Sequence, residues 1–218
     1  MAAPELVGRL DTIVDHGAET RSLFLRLGAP LAFRPGQFIS CLLPVDGETL
    51  TRPYSIASDP EQGDRLELLL NLVPGGPGSR HLFDLRPGAT VRFTGPWGTF
   101  ALDRAPDAET VFLAEGTGIA PIRPMLRRAL ATARHPLHLL YAADHPLYRD
   151  ELTAPPGVVV EYVPQAALVD AAVRRWIEAD ADRTRHFFIC GVGAVVPELR
   201  DRLRRAGYER RSVQYEKW

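Results

Sequence analysis

Up to residue 104, apolar and polar residues alternate in short segments separated by Pro-Gly and Asp-Gly pairs. Within residues 20–28, Leu23, Leu25 and Leu27 fall on one face of a predicted strand, as period-two alternation requires. The other strand candidates are residues 33–44, 49–58, 65–73 and 89–96. A short helix is predicted over residues 79–85, with Ser79 as its cap and Leu82, Phe83 and Leu85 buried. The pattern predicts an antiparallel barrel or sandwich.

After residue 109 the period changes, and strand and helix patterns alternate. The strand candidates are residues 109–114, 137–142, 158–163, 186–190 and 212–216, and the helical stripes are 121–133, 168–178 and 194–206, the last with Gly207 as its stop. Such alternation predicts a parallel sheet covered on both faces, which binds ligands at the carboxyl ends of its strands. We therefore expect two domains: an antiparallel β-barrel over residues 1–104 and an α/β domain over residues 105–218.

Two glycine turns in the second half lie between a predicted strand and a predicted helix. Gly116-Thr117-Gly118 and Gly191-Val192-Gly193 each begin the dinucleotide signature G-x-G-x-x-G but lack its third glycine. Glycine pairs at such turns also serve ordinary steric needs. Because both turns fall at carboxyl ends of strands in one sheet, the context favours phosphate binding. Neither turn continues into the lysine of a P-loop, which disfavours a nucleoside triphosphatase.

The first half holds two further candidates for phosphate binding. Residues 52–55, RPYS, offer an arginine clamp and a flat tyrosine ring. The alternative is a half-buried edge strand. Residues 71–82, NLVPGGPGSRHL, place glycines and a serine at a helix start, which suits a phosphate, although a glycine-rich hairpin loop would have the same composition.

Composition excludes several classes of protein. The 218 residues are 45% apolar and carry 26 Lys and Arg against 27 Asp and Glu, so a nucleic-acid binder has no support. No apolar run approaches the roughly 18 residues of a membrane span, and no secretion signal is visible, so we expect a cytoplasmic protein. Two distant cysteines cannot ligate an ordinary iron–sulfur cluster, and the histidines lack metal-ligand spacing, so no metal site is expected.

Six motifs in order along the chain resemble those of the ferredoxin–NADP reductase family. They are RPYS at 52–55, GPGS at 76–79, GPWGTF at 95–100, GTGIAP at 116–121, CGVG at 190–193 and YEKW at 215–218. The resemblance runs over essentially the whole chain. It implies that the barrel binds FAD and that the parallel-sheet domain binds a nicotinamide nucleotide.

The resemblance also implies roles for residues of the barrel. Arg52 is expected to grip the FAD pyrophosphate, Tyr54 to pack on the isoalloxazine ring, and Ser55 to lie near flavin N5 as a catalytic residue. Gly78 and Ser79 are expected to present backbone N–H groups to the pyrophosphate. The remaining FAD contacts expected in this half are Pro53, Asn71, Val73 and Gly76.

In the second half, Thr117 and Gly118, together with Gly116, are expected to receive the ribose and pyrophosphate of the nucleotide. Cys190, followed by Gly191, resembles the cysteine beside the nicotinamide ring, although a free cysteine is often just a small core residue. Trp218 is expected to cover the flavin face opposite Tyr54 and to gate hydride transfer. Glu216 resembles a family glutamate that relays protons or tunes the flavin; the alternative is a solvated edge charge.

The implied function is an FAD-dependent NAD(P)H oxidoreductase that moves hydride from nicotinamide C4 to flavin N5 and then passes electrons to a separate acceptor, such as ferredoxin, flavodoxin or an oxygenase component. A flavin reductase that uses free flavin, or a non-catalytic electron-transfer subunit, is the alternative. Arginines on the predicted helices would dock an acidic carrier or form a solvated face. Neither nucleic acid nor membrane is expected as a partner.

Two acidic residues bear on nucleotide binding. Glu115 stands where the family usually has a small residue or threonine, and an anion there would repel a diphosphate. We expect its side chain to point away, toward a basic partner such as Arg123, rather than to accept hydrogen bonds from the nucleotide. Asp144, after the strand 137–142, is expected to bind ribose hydroxyls and so to favour NADH over NADPH, with use of both left open.

Overall fold

The computed structural model describes residues 4–218 and divides into two compact units, the first ending at Ala101 and the second beginning at Leu102. This division falls slightly before the domain boundary predicted at residues 104/105. Each unit is built on its own sheet, one antiparallel and one parallel, which confirms the predicted fold class.

Within residues 4–101, the first unit contains six antiparallel strands and one α-helix. They are β1 (Glu5–Asp15), β2 (Thr20–Leu27), β3 (Phe38–Val45), β4 (Glu48–Ser55), β5 (Arg65–Asn71), α1 (Pro77–Asp84) and β6 (Thr90–Trp97). The strand order is β4-β3-β6-β1-β2-β5. A bridge between Ile56 and Leu68, and a 2.8 Å bond from Ala57 N to Glu67 O, join the end of β4 to β5. These bonds close the sheet into a barrel.

The core of the barrel is formed by the apolar set that the alternation predicts. Leu23 and Leu25 are 0% and 1% exposed, and Leu27 is also buried. Strand β1 was not predicted from the sequence; most of its residues are exposed, and its register with β2 shifts at a bulge between Leu10 and Thr12. Leu10 nevertheless lies fully inside the core.

The second unit contains five parallel strands and four α-helices. They are β7 (Thr110–Glu115), α2 (Ile119–Thr132), β8 (Leu137–Ala142), α3 (Arg149–Thr153), β9 (Val158–Val163), α4 (Leu168–Val173), β10 (His186–Gly191), α5 (Val195–Arg205) and β11 (Val213–Lys217). The strand order is β11-β10-β7-β8-β9. Every residue of β7 is buried, as expected of a strand covered on both faces.

The predicted helical stripes face this sheet. Ile122 and Met125 of α2 are fully buried, as are Leu199 and Leu203 of α5. Helix α5 ends before Gly207, whose φ of +102° is the left-handed conformation that glycine adopts at helix ends. Among residues 4–218, none of the helices has the length and apolar character needed to cross a membrane.

Candidate functional site

In the first unit, the side chain of Arg52 lies against the first turn of α1. A Cβ built at Gly78 would stand 3.0 Å from Arg52 Cγ and 3.3 Å from Leu43 Cδ1. Such an approach favours glycine, because a side chain at position 78 would need the arginine stem to shift by a few tenths of an ångström. The Arg52 head remains exposed, with Nη1 donating to Thr51 O at 2.8 Å. The structure therefore brings together the arginine and the helix start that were predicted separately to bind a diphosphate.

The loop before α1 is held by the hydroxyl of Ser79. Its Oγ accepts a 3.0 Å bond from Val73 N and donates a 3.1 Å bond to Gly76 O. A Cβ at Gly76 would lie 2.9 Å from Val73 Cβ, so the loop also requires glycine there. The prediction that Ser79 caps the helix is wrong. Helix α1 begins at Pro77, so Ser79 lies inside its first turn, and its hydroxyl holds the preceding loop instead of capping the helix.

The amides at the start of α1 face outward from the helix end. The first intrahelical bond there runs from Arg80 N to Gly76 O at 3.1 Å, so the N–H groups of Gly78 and Ser79 precede the helical ladder. An open cleft of about 420 Å³ borders the loop that precedes this helix start. The cleft is lined by Leu72, Val73, Pro74, Gly75, Gly76, Pro77 and Arg80. A helix start with free amides beside an arginine is a suitable anion site.

The other predicted residues of this half lie at the ends of β4 and β5. Pro53 is exposed on β4, a sheet-edge position that tolerates a residue lacking an N–H group. Tyr54 is half-buried against the barrel core, and burial raises the pKa of its phenol to about 12, so it stays neutral. Ser55 is 5% exposed. Asn71 ends β5 and accepts a 2.8 Å bond from Thr20 Oγ1 through its Oδ1.

In the second unit, the two glycine turns lie side by side because β7 and β10 are neighbours in the sheet. A Cβ at Gly118 would lie 2.2 Å from the carbonyl oxygen of Cys190 and 2.8 Å from Gly191 N. Gly116, with φ of +53°, allows the sharp turn that precedes α2. The chain therefore needs bare backbone at Gly118 for packing and at Gly116 for conformation. Thr117 lies between them, partly exposed, at the start of the helix.

Glu115 does not face Arg123, which corrects the expectation from the sequence. The Arg123 guanidinium instead binds Glu151 through two bonds, Nε to Oε1 at 2.8 Å and Nη2 to Oε2 at 2.7 Å, and it stacks over Tyr148. Glu115 is 5% exposed; its Oε1 accepts from Gln165 Nε2 at 3.0 Å and its Oε2 accepts from Val192 N at 3.1 Å. Backbone and amide donors satisfy this carboxylate.

Asp144 lies exposed just beyond β8, and its Oδ1 accepts a 3.4 Å bond from Gln165 N. Two residues at the carboxyl ends of these strands, Tyr141 and Gln165, were not predicted from the sequence. Tyr141 is fully buried, and its hydroxyl donates to Gly116 O at 3.1 Å and accepts from Leu147 N at 3.3 Å. Gln165 joins Glu115 and Asp144. Tyr141 could have been found from the sequence, because it places a polar hydroxyl near the end of the apolar strand 137–142.

Cys190, Glu216 and Trp218 are brought together at the ends of β10 and β11. Cys190 and Glu216 are register partners, and Trp218 N donates to Gly191 O at 3.2 Å. Burial raises the pKa of the Cys190 thiol well above its usual value, the nearby Glu216 charge adds to this, and a hydrogen bond with the Trp218 side chain partly opposes it. Burial also raises the pKa of Glu216 from 4.5 to about 7. The thiol stays protonated, and the carboxyl exchanges its proton near neutral pH.

Comparison with known proteins identifies the class. The oxidoreductase FAD-binding domain family matches residues 8–102. Ferredoxin–NADP reductase B of Sorangium cellulosum is 34% identical over 219 residues, which is 88% of this chain and 87% of that protein. The ferredoxin–NAD(P)+ reductase component of the naphthalene 1,2-dioxygenase/salicylate 5-hydroxylase systems of a Ralstonia species is 32% identical over 148 residues. That alignment covers 66% of this chain and 44% of the component, so this chain spans less than half of its length.

Solved structures share the fold. The Amycolatopsis cytochrome P450 reductase GcoB superposes with a TM-score of 0.84 at 29% identity, covering 99% of this chain and 71% of that one. A ferredoxin NADP+ reductase from Neisseria gonorrhoeae with bound FAD and NADP gives 0.84 at 20% identity over 99% of both chains. The barrel and the parallel-sheet unit define a flavin-dependent nicotinamide nucleotide reductase. The chain belongs to the ferredoxin–NADP reductase family of FAD-dependent NAD(P)H oxidoreductases.

Proposed function

We propose that the barrel holds the FAD diphosphate between Arg52 and the start of α1, and that the second unit holds the nicotinamide nucleotide at the turn 116–118. The close packing of the Arg52 stem on Gly78 carries this proposal, because it brings an exposed arginine to a helix start whose first N–H groups precede the helical ladder. These donors match a diphosphate, whose oxygens accept several charged hydrogen bonds at once.

The residues of the first unit fit FAD. Gly76 and Gly78 keep the loop and the helix start free of side chains, and Val73, at 55% exposure, leaves its surroundings open to a ligand. Tyr54 offers a neutral aromatic ring, and Ser55 places a hydroxyl at the adjacent strand end. Asn71 and Pro53 are the remaining proposed contacts. When bound, FAD supplies hydride acceptance and the release of electrons singly or in pairs.

The second unit contributes the nucleotide surface and a proton site. The start of α2 offers amides and a positive dipole end to a phosphate, and the open space beside Gly116, where no atom lies within 4 Å of a Cβ, permits close approach. Cys190 supplies a small, neutral surface for the nicotinamide end. The Glu216 carboxyl holds a proton on one of its oxygens below about pH 7 and can release it above that pH. Trp218 is proposed to occupy the nicotinamide position until the nucleotide displaces it.

The preference for NADH over NADPH is a further part of the proposal. Asp144 is exposed at the carboxyl end of β8, where an acidic side chain hydrogen-bonds ribose hydroxyls and repels a 2′-phosphate. The Sorangium relative bears the name of an NADP reductase, and the Ralstonia relative is named for NAD(P)+. Relatives named for NADP and for NAD(P)+ both align with this chain, so the alignments do not decide its choice between NADH and NADPH. We propose that local residues such as Asp144 decide it.

We further propose that the electrons pass to an acceptor protein, either a ferredoxin-type carrier or an oxygenase component. Relatives that are reductase components of dioxygenase and O-demethylase systems support this proposal. The acceptor would accept electrons from the flavin held by the barrel. The competing function is a flavin reductase, in which the nicotinamide nucleotide reduces free flavin instead of passing electrons to an acceptor protein.

Anaerobic mixing of the purified protein with NADH or NADPH tests the proposal. We expect a yellow protein with retained FAD whose flavin absorbance bleaches on mixing, faster with NADH at equal concentration. A colourless protein that turns over added riboflavin would favour the flavin reductase function. Retained FAD that neither nucleotide bleaches would contradict the proposal altogether.

A further inference from the structure

A single carboxylate joins three strand ends in the second unit. Glu115, at the end of β7, accepts bonds from Val192 N (3.1 Å), just after β10, and from Gln165 Nε2 (3.0 Å), just after β9. The side chain is 5% exposed. Burial of a carboxylate is costly unless such donors surround it, so the arrangement requires an explanation.

The Glu115 carboxylate accepts the hydrogen bond of the Val192 amide, which belongs to the second glycine turn, residues 191–193. A nucleotide phosphate at the turn 191–193 would need that Val192 N–H group, which already donates to Oε2. Gly191 is adapted to the same contact, because a Cβ there would lie 2.8 Å from both Glu115 Cβ and Oε2. The Val192 amide of the second turn is therefore already bound to an internal anion, which favours the turn 116–118 for phosphate.

The segment that Glu115 holds is the one that carries Cys190. On one side, Val192 N donates to Glu115; on the other, Gly191 O accepts from Trp218 N at 3.2 Å. The Trp218 side chain also interacts with the Cys190 thiol and lowers its pKa. Movement of the turn would therefore displace both residues assigned to the nicotinamide end.

We propose that Glu115 is a positioning residue for hydride transfer: by holding Val192 N–H it fixes the turn 190–193, and with it Cys190 and Trp218, against which the nicotinamide ring is placed. This inference rests on the proposed function of those two residues. Misplacement of a reacting ring by about 1 Å can lower a rate by about a hundredfold, so a hydrogen bond outside the contact surface can control the reaction.

The test compares Glu115→Ala, Glu115→Gln and Glu109→Ala in the FAD-loaded protein. Glu109 is the matched control, because its carboxylate lies just before the opposite end of β7 and pairs with Arg185 at 2.8 Å and His138 at 3.1 Å. Two quantities are measured: amide hydrogen exchange of Val192 by NMR, and the limiting rate of flavin reduction separately from the Kd for NADH.

We expect Glu115→Ala to speed Val192 exchange by about tenfold and to lower the limiting rate by about fivefold or more, with FAD retained. Glu115→Gln, whose amide oxygen still accepts the Val192 N–H, should recover at least half of the rate. Glu109→Ala should lower the thermal midpoint without changing either quantity.

Unchanged exchange and rate in Glu115→Ala would overturn the inference. It would also be overturned if Glu115→Gln were as slow as Glu115→Ala, or if Glu109→Ala lost as much rate, since the effect would then follow stability alone. A wild-type protein whose flavin neither nucleotide reduces would instead refute the proposed function, while the Val192 exchange would still report whether Glu115 holds the turn.

Discussion

The backbone of Gly118 packs directly on the carbonyl group of Cys190, closely enough that a Cβ at position 118 would come within 2.2 Å of that oxygen. The clash is with backbone, so it cannot be relieved by a side-chain rotation. We predict that Gly118→Ala destabilises the protein by about 3 kcal/mol, the upper part of the range for overpacking. Thermal unfolding checks this, with Gly28→Ala as control, because no atom lies within 4 Å of a Cβ there. Equal midpoints for the two variants would refute the packing argument.

Glu216 should make stability depend on pH. Its pKa rises from 4.5 to about 7 on folding, so the native protein holds a proton that the unfolded chain releases. Stability from this group is fully present below about pH 4.5, falls as the pH rises, and is lost above about pH 7. The difference amounts to about 3 kcal/mol. In Glu216→Gln, the thermal midpoint should match wild type near about pH 4.5 and exceed it at about pH 8; parallel curves for the two proteins would contradict the shift.

Trp218 is expected to compete with the nicotinamide ring. Trp218→Ala should retain FAD and bind NAD+ more tightly, by about fivefold, because no indole must be displaced. Calorimetric titration with NAD+ measures this. Tyr215→Ala is the control on β11, the strand just before Trp218, where the Tyr215 ring packs on Arg200. Weaker NAD+ binding in the Trp218 variant would show that the indole supports the nucleotide instead of competing with it.

Asp144 is expected to set the nucleotide preference. Asp144→Asn keeps an oxygen for the bond from Gln165 N but removes the charge that repels a 2′-phosphate. We predict that the ratio of kcat/KM for NADPH to that for NADH rises by about fivefold, equivalent to about 1 kcal/mol for a solvent-screened charge. Steady-state kinetics with both nucleotides measure the ratio. Asp150→Asn, an exposed acid in α3, should leave it unchanged; a ratio unaffected by Asp144→Asn would mean that other groups select the nucleotide.

The sequence predicted most of the strands and helices because their periods and glycine stops are local signals. Two elements were missed for physical reasons. Strand β1 buries few of its residues, so its alternation is weak, and α3 is too short to show a helical stripe. Ser79 was misassigned because a serine beside a helix start looks the same whether it caps the helix or closes the preceding loop.

The partners of Glu115 could not be predicted from its neighbours. Gln165 and Val192 lie far along the chain and meet Glu115 only because parallel strands bring their carboxyl ends to one edge. Arg123, the nearest cation in sequence, was already bound to Glu151 on α3, a helix the sequence did not reveal. By contrast, Arg52 and Gly78 belong to two motifs, residues 52–55 and 76–79, that were each identified in the sequence, and the structure shows that they pack together.

The central claim is that Arg52 and the start of α1 bind the FAD diphosphate, and calorimetric titration of the FAD-free protein with FAD and with riboflavin tests it most directly. Riboflavin lacks the diphosphate, so wild type should bind FAD far more tightly. In Arg52→Ala, the affinity for FAD should fall by about tenfold to a hundredfold, as expected for a lost charged hydrogen bond of about 1.5–3 kcal/mol, while that for riboflavin stays the same. Arg65→Ala, an exposed arginine on β5, should change neither. An Arg52→Ala protein that binds FAD as tightly as wild type would contradict the claim.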